Sequence, residues 1–199
     1  MRYQSIAVAL ISNAAIATTL AAQGPMRVAP SGRATTQVTL SLVDSAARAS
    51  AKPSIIRIDY GQPHLRGRKL LTDSLVPYDK LWRMGANTAT TLSTDLDLVI
   101  GGKSLPKGTY VLQSRPSRGG WKLFIQKEGT RPEMPEMAPV RYNPADDVAQ
   151  VDLRQTTLPA PVESLTMWLI PSREPGVTPR GQIVIVWGTI ALGTDWSVK

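Results

Sequence analysis

The sequence predicts an all-β fold: an antiparallel β-sandwich or barrel-like domain with one long loop carrying a short helix. Three observations lead there. Short segments alternate apolar and polar residues with a period of two, the pattern of strands that bury one face. Turn-forming clusters, such as Gly101-Gly102, Ser117-Arg118-Gly119-Gly120 and residues 171–181, separate several of these segments. Hydrophobic residues make up 42% and charged residues 19%, the composition of a globular chain able to fill one core within 199 residues.

At the N-terminus Arg2 precedes an uncharged run over 6–20 rich in Ala, Ile and Leu, and Thr19-Leu20-Ala21-Ala22-Gln23 offers small residues for cleavage. Residues 1–22 therefore read as a signal peptide. The run falls short of the about 20 apolar residues a membrane span needs, and Ser12, Asn13, Thr18 and Thr19 interrupt it. The expectation is an exported chain, periplasmic or extracellular, with no membrane span in its mature form. Residues 23–35 contain Gly24, Pro25, Pro30, Ser31 and Gly32 without apolar periodicity and read as a flexible tail, leaving 36–199 as a single β-rich domain.

Over 36–43, Val38, Leu40 and Leu42 alternate with Gln37, Thr39 and Ser41, predicting the first strand. The alanine-rich stretch 44–52 suits a brief helical turn or an extended loop, ended by Pro53. Ile56, Ile58 and Tyr60 then share one face of a second strand over 54–60, with Arg57 and Asp59 on the other. Further strands are expected at 89–95, 96–100, 109–114, 121–126, 148–154, 164–170, 183–187 and 190–192. Pro132, Pro135, Pro139 and Pro144 make 130–144 an extended surface connection.

Residues 61–87 stand apart. They lack strand alternation, contain Pro63, Gly67, Pro77 and Gly85, and allow a short helix over 78–83 started by Pro77. A loop this long inside a compact domain is uncommon unless it is functional or packed down as a lid, so it is the first place to look for a site.

Composition narrows the chemistry. With no cysteine there is no disulfide framework, lipidated cysteine or thiolate chemistry, and His64, the one histidine, makes a zinc site improbable. No metal or cofactor is predicted. The formal charge of +8 suits an acidic envelope polymer or an anionic lipid surface, the competing role of the spread-out Lys and Arg being solubility alone. Export, one Phe and five Tyr argue against a base-stacking nucleic-acid platform.

The motifs are sparse. Gly102-Lys103-Ser104 resembles the end of a phosphate loop, but Asp97 stands where its first glycine belongs, and the setting fits a hairpin. There is no Gly-x-Ser-x-Gly elbow, so a hydrolase would rest on His64 or an acidic residue as base. The pairs Asp95/Asp97 and Asp146/Asp147 lack the further ligands of a calcium loop. Trp121, Trp168, Trp187 and Trp196 lie in or beside strand patterns, where core packing is the default and a carbohydrate-stacking face the alternative. Arg66, Arg68, Tyr78, Arg83 and Asn87 form the one constellation with a chemical theme: three guanidiniums, a phenol and an amide suited to a carboxylate, phosphate or sugar acid. The competing role for these arginines is to bind backbone carbonyls and fix the loop, with Trp82 as its apolar anchor.

Several blocks of this segment carry a resemblance: Tyr60-Gly61-Gln62-Pro63, Gly67-Arg68, Leu75-Val76-Pro77-Tyr78, Leu81-Trp82-Arg83-Met84-Gly85-Ala86-Asn87 and, beyond, Leu105-Pro106-Lys107-Gly108-Thr109-Tyr110. Together they resemble the bacterial family called domain of unknown function 2911, over residues 37–169, with Trp-Arg-x-Gly-Ala-Asn the most specific part. The resemblance implies an exported β-rich domain without an established activity. Where that family commonly reads Tyr-Ser-Arg-Pro, this chain has Gly61 and Gln62, losing a hydroxyl and a guanidinium. Arg68, Tyr78, Arg83 and Asn87 match the pattern and are the ligand-binding candidates. The reading is a non-enzymatic binding module for an anionic small molecule or envelope component. Its alternatives are an envelope-metabolite hydrolase, with Arg83 stabilising negative charge, and a structural or interaction domain without a pocket.

Overall fold

The computed structural model describes residues 24–72, 75–128, 142–172, 174 and 176–199. The alternating segments form β1 (Arg33–Leu40), β2 (Ser54–Gly61), β3 (Thr90–Thr94), β4 (Leu98–Ile100), β5 (Lys103–Leu105), β6 (Gly108–Ser117), β7 (Gly120–Lys127), β8 (Asp147–Ser172) and β9 (Arg180–Val198). All pairings are antiparallel, in the order β1-β2-β3-β6-β7-β8-β9-β4-β5. The expected leader over 1–22 lies outside the described residues. So does the proline-rich connection as far as residue 141; its end is a 3-10 turn (Pro144–Asp146) capped by the Asn143 side chain.

Most strands fall where alternation puts them, and the departures have local causes. β1 begins at Arg33, earlier than expected, because Arg33, Ala34 and Thr35 pair with Gly61, Tyr60 and Asp59. It stops at Leu40 because Asp44 caps the short helix α1 (Ser45–Ser50), accepting from the Ala47 N–H at 2.7 Å, so the chain turns outward and leaves Leu42 and Val43 exposed. The expected strands at 148–154 and 164–170 are one strand, β8, and those at 183–187 and 190–192 are one strand, β9, which also takes in Trp196. Residues 154–157 of β8 face solvent on both sides, so they carry no hydrophobic period for a sequence to display.

β8 is also where the sheet folds over. Its first part pairs with β7 and the rest with β9, but Thr157, Val162 and Thr166 stand opposite Ile190, Gly188 and Val186, so β8 carries extra residues in a wide bulge. The bulge brings the second half of β8 back over β1 and β2. There the Tyr60 hydroxyl accepts from the Met167 N–H and the Thr36 hydroxyl from the Leu169 N–H, each at 3.1 Å. Two side chains thus stand in for a neighbouring strand, and the sheet becomes two facing layers without closing into a barrel. Ile58, Leu92, Leu112 and Ile125 of one layer meet Met167, Ile183 and Ile185 of the other in a single hydrophobic cluster.

The long segment 61–87 seals the strand edges of this sandwich. The helix expected over 78–83 is absent. Trp82 instead exchanges both backbone hydrogen bonds with Ser114 of β6 (2.7 and 2.9 Å), and Asp79, at φ 59°, donates its N–H to Pro116. β3 pairs with β6 only as far as Leu112, so this segment serves as a surrogate strand beyond it, and a strand-like bridge is incompatible with helical φ/ψ. Residues 63–65 do the same for β8: Leu65 N–H donates to the Glu163 carbonyl and Leu165 N–H to that of Pro63.

Candidate functional site

The bulge in β8 and the start of the long segment together build a groove. Leu65–Arg68 is a tight turn closed by Arg68 N–H to the Leu65 carbonyl at 3.0 Å, with both central residues left-handed, Arg66 at φ 52° and Gly67 at φ 75°. Gly67 adopts that conformation without the Cβ penalty. Glu163 fixes the turn: its carboxylate accepts from the Arg66 N–H at 2.7 Å, while its carbonyl accepts from Leu65 N–H and, at 3.2 Å, from the Trp187 indole. Between this turn and the bulge lies a cavity of about 610 Å³. Leu65, Leu70, Leu71, Pro161 and Ile190 supply apolar walls, and Arg68, Lys69 and Glu163 line it with charge.

Arg68 is the sequence candidate that this groove contains. Its Nε and Nη2 donate to the Leu65 and His64 carbonyls, both at 2.9 Å, which locks the guanidinium at the mouth while Nη1 makes no hydrogen bond among the described residues. Arg83, Asn87 and Tyr78 do not line the cavity. Arg83 donates from Nη1 to the Asn87 carbonyl at 2.8 Å, and Asn87, at φ 59°, donates from Nδ2 to the Ser31 carbonyl at 3.3 Å. Tyr78 lies half-exposed under the Arg118 guanidinium, 5.8 Å from the ring centroid.

Segment 29–32, which the sequence reads as tail, is held by Arg66 and Asn87 of the constellation together with Gln62 and His64. Its carbonyls accept from His64 Nε2 (Ala29, 3.2 Å), Arg66 Nη2 (Pro30, 3.2 Å), Asn87 (Ser31) and the Gln62 N–H (Gly32, 2.8 Å). Because a carbonyl only accepts, His64 Nε2 carries a hydrogen; in the neutral ring Nδ1 then accepts from the Ser164 hydroxyl, 2.7 Å away. His64 and Ser164 are partners across the bridge between residues 63–65 and β8. Three of the four paired aspartates make local hydrogen bonds: Asp95 accepts from Ile55 N–H, Asp97 from Lys107 N–H, and Asp147 from Gln126, Tyr142 and Gln150.

Sequence reasoning missed Lys69, Glu163 and Ser164. Lys69 adjoins Arg68 and offered a signal, a second cation on the same turn. Glu163 and Ser164 offered none, since a bulge in a long strand, almost a hundred residues away, brings them to the loop.

Comparison with known proteins bears on the whole of this architecture. No curated protein and no solved structure matches the chain. A family profile described as "Protein of unknown function" matches residues 44–194, from the cap of α1 almost to the end of β9, starting later than the motif likeness over 37–169 and running further toward the C-terminus. With that span covering the groove, the bulge and the Trp82–Asn87 block together, the chain belongs to the family of domain of unknown function 2911.

Proposed function

We propose that this domain is an exported, non-enzymatic binding module that takes an anionic small molecule or envelope component in the groove beneath the 65–71 segment. One observation carries the reading: Arg68 is held rigidly by two carbonyls with Nη1 uncommitted, at the mouth of a half-apolar cavity large enough for a small molecule. A guanidinium already fixed loses little freedom on meeting a carboxylate or phosphate, and Lys69 adds a mobile second charge. Asn87 supports the reading indirectly, by holding Ser31 against the same segment, and Arg83 by bonding the Asn87 carbonyl.

The test is thermal unfolding of the wild type and of Arg68→Ala and Lys69→Ala, with inorganic phosphate, glucose 6-phosphate, glucuronate and peptidoglycan fragments. A ligand at 100 times its Kd stabilises by about 2.7 kcal/mol, a rise of roughly 5–10 °C for a domain of this size. Arg68→Ala is expected to lose that rise and about 1–2 kcal/mol of its own stability, since it anchors two carbonyls. Lys69→Ala, with no hydrogen bond to lose among the described residues, should melt as the parent does and still bind more weakly. No stabilisation of the wild type by any of these compounds, or a rise that survives both substitutions, would overturn the reading.

A second reading rests on the Ser164–His64 contact, which is the nucleophile–base contact a covalent hydrolase uses. Ser164→Ala separates the two. A hydrolase loses turnover of an ester probe such as p-nitrophenyl acetate by at least about a hundredfold with its fold intact. A structural pair loses about 1 kcal/mol of stability and no activity.

A further inference from the structure

We infer that the outer face of the β8–β9 ladder carries a separate binding site, a cleft for a neutral oligosaccharide. Three rungs of the ladder, Ser172–Arg180, Ile170–Gln182 and Trp168–Val184, follow one another at two-residue spacing, so their side chains share one face. The first two rungs line a cavity of about 580 Å³. Its opposite wall is the returning end of β9, with Asp195 and Ser197, drawn close by a hydrogen bond from Val198 N–H to the Pro179 carbonyl at 2.8 Å. The third rung lies about 7 Å further along. There Trp168 leaves 44% of its surface in water, next to Ile170 at 45%.

The electrostatics select the ligand. Arg154 spends Nη1 and Nη2 on the two carboxylate oxygens of Asp195, both at 2.9 Å, and Arg180 pairs with Glu174. The two charged residues that line the cleft, Asp195 and Arg180, are therefore each already paired, and neither is left over to hold an ionic ligand. Gln182 donates one amide N–H to Asp195 and Ser172 donates to Glu174, each at 3.4 Å, which leaves the Gln182 carbonyl and second N–H, the Ser172 and Ser197 oxygens and the spare lone pairs of Asp195 beside an exposed indole and a partly apolar floor. A pyranose meets both demands: its C–H face is apolar and buries against an indole, and its hydroxyls donate to a carboxylate and accept from an amide. An acyl chain would leave the polar wall unsatisfied, and an acid would meet no unpaired cation in the described lining.

The experiment is calorimetric titration of the full chain with cellohexaose, maltohexaose, chitohexaose and, as the charged counterpart, hexagalacturonate. Saturable binding of at least one neutral hexasaccharide is expected, with Trp168→Ala weakening it about tenfold while the melting temperature stays unchanged. Gln182→Ala should weaken it several-fold, and Arg68→Ala should leave it intact, which separates this cleft from the Arg68 groove. The inference is overturned if no neutral oligosaccharide binds, if hexagalacturonate alone binds, or if the folded Trp168→Ala chain binds as the parent does.

Discussion

Trp82→Ala is expected to destabilise the domain by about 3–5 kcal/mol, lowering its melting temperature by on the order of 10 °C. Trp82 is only 8% exposed, stacks on Trp187 at 5.7 Å with the rings 19° apart, and meets Trp121 edge-on at 6.2 Å. Those partners come from β9 and β7, so one side chain of a loop joins the two layers. Truncation leaves a cavity between two large indoles that cannot collapse onto each other without moving strands, the situation in which the cavity penalty is largest. Trp82→Phe keeps a ring there and should recover more than half of the loss. Denaturant midpoints of the three chains check this. A Trp82→Ala chain within about 1 kcal/mol of the parent would show that the long segment is not an anchor. The most specific part of the family motif would then be free for a direct role in binding.

Gly61→Ala should be nearly as damaging, by about 3 kcal/mol or more. A Cβ at position 61 would stand 1.9 Å from the Ala86 carbonyl oxygen, and one at Gly85 would stand 2.9 Å from the Gly61 oxygen. Two stretches of bare backbone cross here, joined by Ala86 N–H to the Gly61 carbonyl at 3.2 Å. Forcing them apart would shift Met84, which is fully buried, and the Thr90 hydroxyl that donates to its carbonyl at 2.8 Å. Gly61→Ser restores the hydroxyl that the family commonly has at this place, yet brings the same Cβ, so it is expected to destabilise rather than repair. Gly119→Ala, whose Cβ would meet nothing nearer than Ser117 Oγ at 3.8 Å, is the silent control. Equal unfolding midpoints for Gly61→Ala and Gly119→Ala would refute the crossing as a tight constraint.

These two positions show how far the sequence could be read. The Trp-Arg-x-Gly-Ala-Asn block stands out as a motif in the sequence, and the arginines of the long segment suit a loop held by backbone carbonyls, but the crossing of that block with Gly61 is a contact that no sequence pattern displays. Arg68, bound to the His64 and Leu65 carbonyls, takes that holding role and keeps Nη1 without a hydrogen bond among the described residues. The helix expected over 78–83 shows the opposite limit. Pro77 at a plausible helix start is a local cue, but the free edge of β6 offers Trp82 two backbone hydrogen bonds, and a non-local pairing outweighs a weak propensity.

Alternation is enough to give the all-β class, the one-sided burial of β2 and β3 and the place of the long loop, because a period of two is imposed on neighbouring residues by strand geometry alone. That β8 and β9 are continuous, and that β8 folds over at a bulge, follows from packing between distant parts of the chain. Only the tertiary structure decided that residues 29–32 are gripped rather than free, that Glu163 and Ser164 meet the 63–66 turn, and that Arg68 lines a groove while Tyr78, Arg83 and Asn87 face elsewhere. Those outcomes depend on which strand edges remain unpaired once the sheet has folded, and unpaired backbone groups recruit partners by proximity in space, a quantity that no local pattern of residues encodes.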